Sequence, residues 1–569
     1  MKYPTILLLI FLTWTALTFT YIILTPLIDR EIESITQFFI SISPSYYALL
    51  TVNIISLCSV TSKEFRKGRA FSLLALLLYT FTIDSLRLLF SNPFQTETFK
   101  QAKTFIVLKT GFFRNAPEPD SIGDPMIFSS LILVSDMPSF NAVLRFIPTA
   151  LWILNTLYMY VLVRERLSID SSYATILSTI YVASTYELYF ANRYSLGAPI
   201  FVLTLSVLLA LCRRPKLSNI IGFILLFASL TLTHAMFALI VLLMLAIMFF
   251  IRLVKVDTTK NSLTTTFTVS IIIFFIWYVI AYASLIGPLR AVLNALRDLL
   301  YGVETPELVK GFLSATLKSD YLYLIMARIF VFLLILMAPI LLLTYLLVKH
   351  RLQWFTNKLK RTIDITRALV TTYITLLTLL CVWVWSRFTG SLRPYQALTP
   401  IVVILLGYLM MELLEPKELK GVFVLLKFST VLLALLAPFI LWGPNVTYVN
   451  FPSRDITMIK ILGKYVPVSK EICGVNIGYP ERWLLWIYTT RSDIRLRIIA
   501  DIRVSYHVDM NPLRMCDINV LNGRVLGLNS KYVYTPSLCE RLLYVGLQIQ
   551  EYGYHKVLDC GKFRCVYVR

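Results

Sequence analysis

Outside the basic clusters of this chain, a small set of carboxylates and guanidinium groups marks where chemistry is available. Glu97 stands in Asn92-Pro93-Phe94-Gln95-Thr96-Glu97-Thr98-Phe99-Lys100, ahead of an amphipathic stretch, Gln101–Thr110, that closes at Gly111. This pattern predicts a helix of about three turns lying along a membrane surface. Glu97 falls near its start, where a carboxylate gains from the helix dipole; the competing reading is a plain N-terminal charge. Asp120 and Asp124 follow in the same loop, and Asp124-Pro125 opens a short apolar stretch, Met126–Val134. The two aspartates are candidates to hold a divalent cation, magnesium or manganese, or else a solvated pair in a loop. Asp84 and Arg87 are spaced i, i+3 near the end of an apolar segment, which suits a structural ion pair. Arg193, Arg387 and Arg393 stand at the ends of other apolar segments, with His234 in the turn Leu232-Thr233-His234-Ala235. Carboxylates remove protons from hydroxyls, and Arg grips phosphate oxygens two at a time. Against that stand lipid-headgroup anchoring for each Arg and a packing role for His234.

The elements that must position these groups are apolar. Hydrophobic residues make up 57% of the 569, charged residues only 15%, and mean hydropathy is +0.72. A soluble domain carries roughly 25% charged residues, so the chain reads as a polytopic membrane protein. Its apolar runs predict about thirteen spanning helices. They fall at 5–27, 45–61, 70–91, 139–163, 173–190, 196–211, 218–234, 235–251, 263–285, 321–347, 368–386, 395–413 and 422–442. The first is too long, and lacks the small-residue cleavage site, for a signal peptide.

The net charge of +22 would suggest nucleic acid in a soluble chain. Here the Lys and Arg sit in short loops between apolar segments, as the positive-inside rule requires. The loops at Ser62–Arg69, around Arg164 and Arg166, Arg213 to Lys216, Arg252 to Lys260, and Val348–Arg367 carry most of them. All fall on one side if the N-terminus is cytoplasmic; Arg30, Arg193, Arg387 and Arg393 fall on the other. The expected arrangement is a multi-pass cell-membrane protein with an extracytoplasmic C-terminus and no nucleic-acid partner. Three larger pieces then lie outside: 92–138, 286–320 and the tail 443–569. The tail shows alternating patches such as Ile494–Val504 and Lys556–Val568, broken by Gly, Pro and Asn. It reads as a small α/β domain, with the sequon Asn445-Val446-Thr447 at its start. Five of the eight cysteines (Cys473, Cys516, Cys539, Cys560 and Cys565) lie there. Outside the cell they would form one or two disulfides.

This topology excludes an ATP-driven pump in one chain. The cytoplasmic loops are about 20 residues at most, and the sequence has no Gly-rich phosphate loop of the Walker type. A soluble nucleotide-sugar domain is excluded for the same reason. An enzyme of this shape would work at the outer leaflet, where an activated substrate arrives most naturally on a lipid. A transporter is the main alternative, although the halves show no repeat and glycine numbers only 20.

The first outer loop resembles the start of the GT-C glycosyltransferases, polytopic enzymes that use polyprenyl-phosphate-linked sugars. The family's loop runs from an acidic pair and an aromatic through a helix closing on Gly-x-aromatic to an aromatic-Pro step. The corresponding residues are Thr96-Glu97, Phe99, Gly111-Phe112-Phe113 and Asp124-Pro125; Thr96 departs where a second acid is common. From the helix at 70–91, seven helices lead to the loop at 286–320, similar to the family's core. The ending Tyr554 to Tyr567 looks like the terminal strand pair of archaeal members. The resemblance spans about 70–569 and leaves two extra N-terminal helices in 1–69, before a core at 70–442.

The resemblance implies a glycosyltransferase acting at the outer face. Its donor would be a polyprenyl-phosphate sugar such as a dolichyl-linked one, and its acceptor a glycan, lipid or protein. Glu97 would be the catalytic base with Asp84 in reserve. Arg193, His234, Arg387 and Arg393 would contact the lipid phosphate, and Asp120 and Asp124 would hold any metal. Two other classes stand beside it: a transporter or flippase for a lipid-linked or small polar substrate, and a non-catalytic membrane subunit.

Overall fold

The computed structural model describes residues 39–60, 69–89, 140–185, 193–213, 215–253, 260–280, 333–346, 369–378, 392–414 and 416–442, five strands between 471 and 568, and isolated positions elsewhere. The helices are α1 (Pro44–Val60), α2 (Arg69–Ser85), α3 (Phe140–Val161), α4 (Ser171–Ser184), α5 (Arg193–Arg213) and α6 (Leu217–Thr233). They continue with α7 (Ala235–Leu253) and α8 (Lys260–Ile280), then α9 (Leu333–Leu346) and α10 (Leu369–Thr378). The last two are α11 (Leu392–Leu413) and α12 (Pro416–Trp442). A 3-10 turn, Leu86–Leu89, prolongs α2, and a π turn, Leu162–Arg166, prolongs α3.

Among the described residues three helices are long and apolar enough to cross a membrane: Phe146–Arg166, Ser195–Arg213 and Leu419–Pro438. The apolar cores of the others run 10–17 residues within what is described. Twelve of the expected segments overlap these helices; the first, 5–27, lies outside the described residues except for isolated positions, as do the loops 92–138 and 286–320. This is a predominantly helical membrane protein.

The bundle is built around α4. All its residues are buried, and α2, α3, α11 and α12 pack against it. Its sequence, Ser-Ser-Tyr-Ala-Thr-Ile-Leu-Ser-Thr-Ile-Tyr-Val-Ala-Ser, is rich in small side chains, which let neighbouring backbones approach closely in a membrane. Its threonine hydroxyls are met within the helix. Thr175 donates to the Ser171 carbonyl and Thr179 to the Thr175 carbonyl, each at 2.8 Å. Between helices, the Asn155 amide on α3 donates to the Tyr181 hydroxyl at 2.8 Å.

The packing sorts charged residues to two ends of the bundle. Short connections make successive helices antiparallel. The Ser172 hydroxyl donates to the Val60 carbonyl at 3.5 Å, placing the start of α4 beside the end of α1. A Cβ on Gly407 would lie 2.7 Å from Leu167 and 3.0 Å from Ile169, so the second half of α11 reaches that end too. Arg164, Arg166, Arg213 and Lys216 belong to this basic end. The opposite end holds Asp84 at the close of α2, Arg193 and Arg393 at the starts of α5 and α11, and His234 between α6 and α7. α1 packs on both α2 and α12.

The tail contains a five-stranded mixed sheet of order β2-β1-β3-β5-β4. Its strands are β1 (Glu471–Val475), β2 (Arg495–Ala500), β3 (Ile518–Asn522), β4 (His555–Asp559) and β5 (Arg564–Val568). β1 pairs in parallel with β2 and β3, while β5 runs antiparallel to β3 and β4. The expected terminal strand pair is thus the β4–β5 hairpin. Parallel pairs need crossover connections of a dozen or more residues; the segments that make them, and the tail cysteine side chains, lie outside the described residues.

The Asn155–Tyr181 bond carries a prediction. Asn155→Leu and Tyr181→Phe should each lower thermal stability, and the double variant should lose less than the sum. A coupling of about 0.5–2 kcal/mol is expected from melting curves in one detergent; strict additivity would show that the bond does not join α3 to α4.

Candidate functional site

Asp84 is fully buried, with no exposed surface, in a run, Thr80-Phe81-Thr82-Ile83-Asp84-Ser85, that alternates polar and apolar side chains at the close of α2. The Thr82 carbonyl accepts two hydroxyls, from Ser85 at 2.7 Å and from Tyr46 of α1 at 2.8 Å. A carbonyl so engaged is a weak acceptor for the helical ladder, and beyond Ser85 the backbone tightens into the turn Leu86–Leu89. Asn53 of α1 adds a bond from its amide to the Thr82 hydroxyl at 2.6 Å. The Tyr79 hydroxyl reaches the Ala434 carbonyl of α12 at 3.0 Å. Two neighbouring helices, α1 and α12, therefore fix the segment that carries Asp84. Tyr46 lies within electrostatic reach of the carboxylate. The C-terminal end of a helix disfavours negative charge, and burial penalises it further. An intramembrane ionisable residue is a candidate for function, beside the structural pairing that its spacing to Arg87 suits. Arg87, the expected partner, lies in the following turn, with its side chain outside the described residues.

His234 forms a second neighbourhood at the same end. Only 4% of its surface is exposed. It occupies the break between α6 and α7, where its Nδ1 accepts the Phe237 backbone N–H at 3.3 Å. That is a helix-capping bond, and it leaves Nε2 as the proton-bearing nitrogen of the neutral ring. The ring stacks on Phe237 at 4.1 Å between centroids, and Phe237 stacks on Phe201 of α5 at 4.8 Å. Gly197 makes this approach possible, because a Cβ there would meet the His234 Cβ at 2.9 Å. Arg193 stands one turn before Gly197 on α5, so its backbone is at the level of His234. These contacts fit the packing reading of His234.

Arg193 and Arg393 are placed by backbone alone, while Glu97, Arg387, Asp120 and Asp124 lie outside the described residues. Among the described residues no three His, Cys, Asp or Glu side chains gather to hold a metal. The sequence reading missed Tyr46, Asn53 and Gly197. Tyr46 and Asn53 are spaced i, i+7, on one face of an apolar segment, which was the available signal. Gly197 carried none that one sequence reveals.

The described residues thus form a helical bundle with Asp84, Arg193, His234 and Arg393 at one end, and a mixed five-stranded sheet in the tail. No family model and no curated protein matches the sequence. The fold is similar to solved structures of an oligosaccharyltransferase from Archaeoglobus fulgidus. One, tethered to an acceptor peptide containing the NVT sequon through a disulfide, has 14% identity and a TM-score of 0.50, and covers 89% of this chain and 74% of that one. A second, in complex with zinc and sulfate, has 14% identity, a TM-score of 0.49, and coverages of 87% and 72%. A third, AglB with an inhibitory peptide and a dolichol-phosphate, has 15% identity, a TM-score of 0.48, and coverages of 76% and 65%. The match therefore spans 65% of that last chain's length.

Gly197 supplies the test of the His234 neighbourhood. Gly197→Ala should destabilise by about 1–3 kcal/mol through overpacking. Gly222→Ala, where a Cβ meets nothing within 4 Å, should be neutral or should stabilise by up to about 1 kcal/mol from helix propensity. Equal melting temperatures for the two variants would refute the contact.

Proposed function

We propose that this protein is an integral-membrane glycosyltransferase that moves a sugar from a polyprenyl-phosphate-linked donor to an acceptor at the Asp84 end of the bundle. The reading rests on one observation: a GT-C-like bundle whose described candidate groups, an acid, two arginines and a histidine, share one end. That end would face the cell exterior, given the basic loops at the other. The acceptor is a glycan, lipid or protein, and the relative tethered to a sequon peptide makes a peptide the first to try.

The chemistry follows from these groups. A carboxylate, Glu97 with Asp84 in reserve, takes the proton of the attacking group. The acceptor bonds to the anomeric carbon as the bond to the donor phosphate breaks through an oxocarbenium-like state. The lipid phosphate leaves as the anion, and guanidinium groups of Arg193, Arg387 and Arg393 meet its charge. The His234 Nε2–H is a further donor to it. A divalent cation held by Asp120 and Asp124 would supply additional positive charge to the same phosphate.

The test is a glycan profile by mass spectrometry in the native host, with protein level measured in parallel. Glu97→Gln should truncate the glycans while the protein stays abundant, and the missing sugar names the reaction. If Glu97→Gln is silent and Asp84→Asn is not, the base is Asp84. A gene deletion that leaves every glycan unchanged overturns the transferase reading. Arg193→Gln and Arg393→Gln should each slow transfer by about 10- to 1000-fold.

A further inference from the structure

Away from the Asp84 end, an open groove of about 430 Å³ runs between α1 and α12, lined by Ile54, Ile55 and Cys58 on one side and Val431 and Leu435 on the other. Its two α1 hydroxyls do not make it polar. Thr51 donates to the Tyr47 carbonyl at 2.8 Å and Ser59 to the Ile55 carbonyl at 2.9 Å, so both are turned to their own helix. What remains is a hydrocarbon slot on a face where Ile55 and Leu435 are exposed.

The slot has a charge at one end. Lys427 lies one turn before Val431 on α12, and its charge is felt by the Cys58 thiol. Lys427, Val431 and Leu435 therefore form one stripe at i, i+4, i+8, and the exposed Lys420 stands two turns earlier on nearly the same face. Lys427 is eleven residues into α12, about 16 Å from its start at the basic end. This is far enough that a lysine must reach back along its stem to find polar surroundings. A cation inside the hydrocarbon region costs about 2.5–3.5 kcal/mol without a counter-ion, and a thiol offers none. The ring of Tyr173 on α4 lies tilted against that of Phe423 on α12, with centroids 4.2 Å apart, and α4 starts at the basic end. Lys420 and Lys427 are thus on the basic half of the bundle.

We propose that this groove is a binding site for one anionic phospholipid of the leaflet at the basic end. One acyl chain lies between α1 and α12, and the headgroup phosphate is held by Lys427 and Lys420. The apolar slot and the cation at its mouth together match an amphiphile with a negative head. A neutral lipid would leave Lys427 without a counter-charge. The bound lipid would brace α1 against α12, the two helices that hold α2 and its Asp84 in place, from the side remote from the chemistry.

The test uses the full-length protein in nanodiscs of phosphatidylglycerol or of phosphatidylcholine, with thermal melting and native mass spectrometry of retained lipid. Wild type should melt higher in phosphatidylglycerol and retain one such lipid after delipidation. Lys427→Gln should lose the preference and retain about fivefold less, and Lys427→Arg should restore it. Ile55→Trp, which fills the slot without touching charge, should also lower retention. Normal melting of each variant in phosphatidylcholine shows that it is folded. Equal behaviour of wild type in the two lipids overturns the proposal. So does full retention by Lys427→Gln and Ile55→Trp, or a co-purifying helix of another protein in the groove.

Discussion

No water reaches the centre of a bilayer, so a hydroxyl or amide on the fully buried α4 is stabilised chiefly by partners inside the protein. The rest of the bundle follows from that constraint. The helix spends its small residues on close approach to α2, α3, α11 and α12, and its Thr side chains on the carbonyls one turn back. The Thr185 hydroxyl, just past the helix, also turns back to the Tyr181 carbonyl, while Tyr181 itself is joined to Asn155. With its threonines turned back on its own carbonyls and its small side chains against four neighbours, α4 is a spine on which those helices are fixed in direction, and their direction decides which charges meet at which end.

The consequence is a division of labour along the bundle axis. At one end, Arg and Lys follow the helices into short connections; at the other, the segment that carries the buried Asp84 is fixed by hydrogen bonds from α1 and an anchor on α12. The His234 break is fixed differently, by a cap, a ring stack and a glycine that admits them. Among the described residues, both neighbourhoods are held by helices of the bundle. Preorganised groups of this kind are what transfer from a phosphate leaving group requires.

Much of this was legible in the sequence because the bilayer imposes length and charge rules that one chain must obey. The segments at 45–61, 70–91, 218–234 and 235–251 fall closely on α1, α2, α6 and α7, since apolar length and flanking Lys or Arg are local signals. The placement of Asp84, Arg193, His234 and Arg393 at one end followed from counting spans. The role of α1 was not legible: Tyr46 and Asn53 contact Thr82, about 30 residues away, and no periodicity reports such a pairing. The same holds for Gly197, whose importance lies in what stands opposite it. In the tail, the pairing of β4 with β5 falls within the alternating patch Lys556–Val568. The parallel pairing of β1 with β2 and β3 joins distant segments and left no local trace. The Glu97 loop stays where the sequence alone puts it.

The most direct measurement is transfer with purified components. The protein is reconstituted with polyprenyl-phosphate-linked sugars extracted from the native host, and a peptide carrying Asn-Val-Thr or a host glycolipid is offered as acceptor. The acceptor is then weighed by mass spectrometry. The account predicts a gain of one sugar unit or glycan with matching loss of the charged lipid, and no gain when Glu97 and Asp84 are both amidated. Intact donor beside unmodified acceptors, or donor moved across the bilayer unchanged, would contradict it.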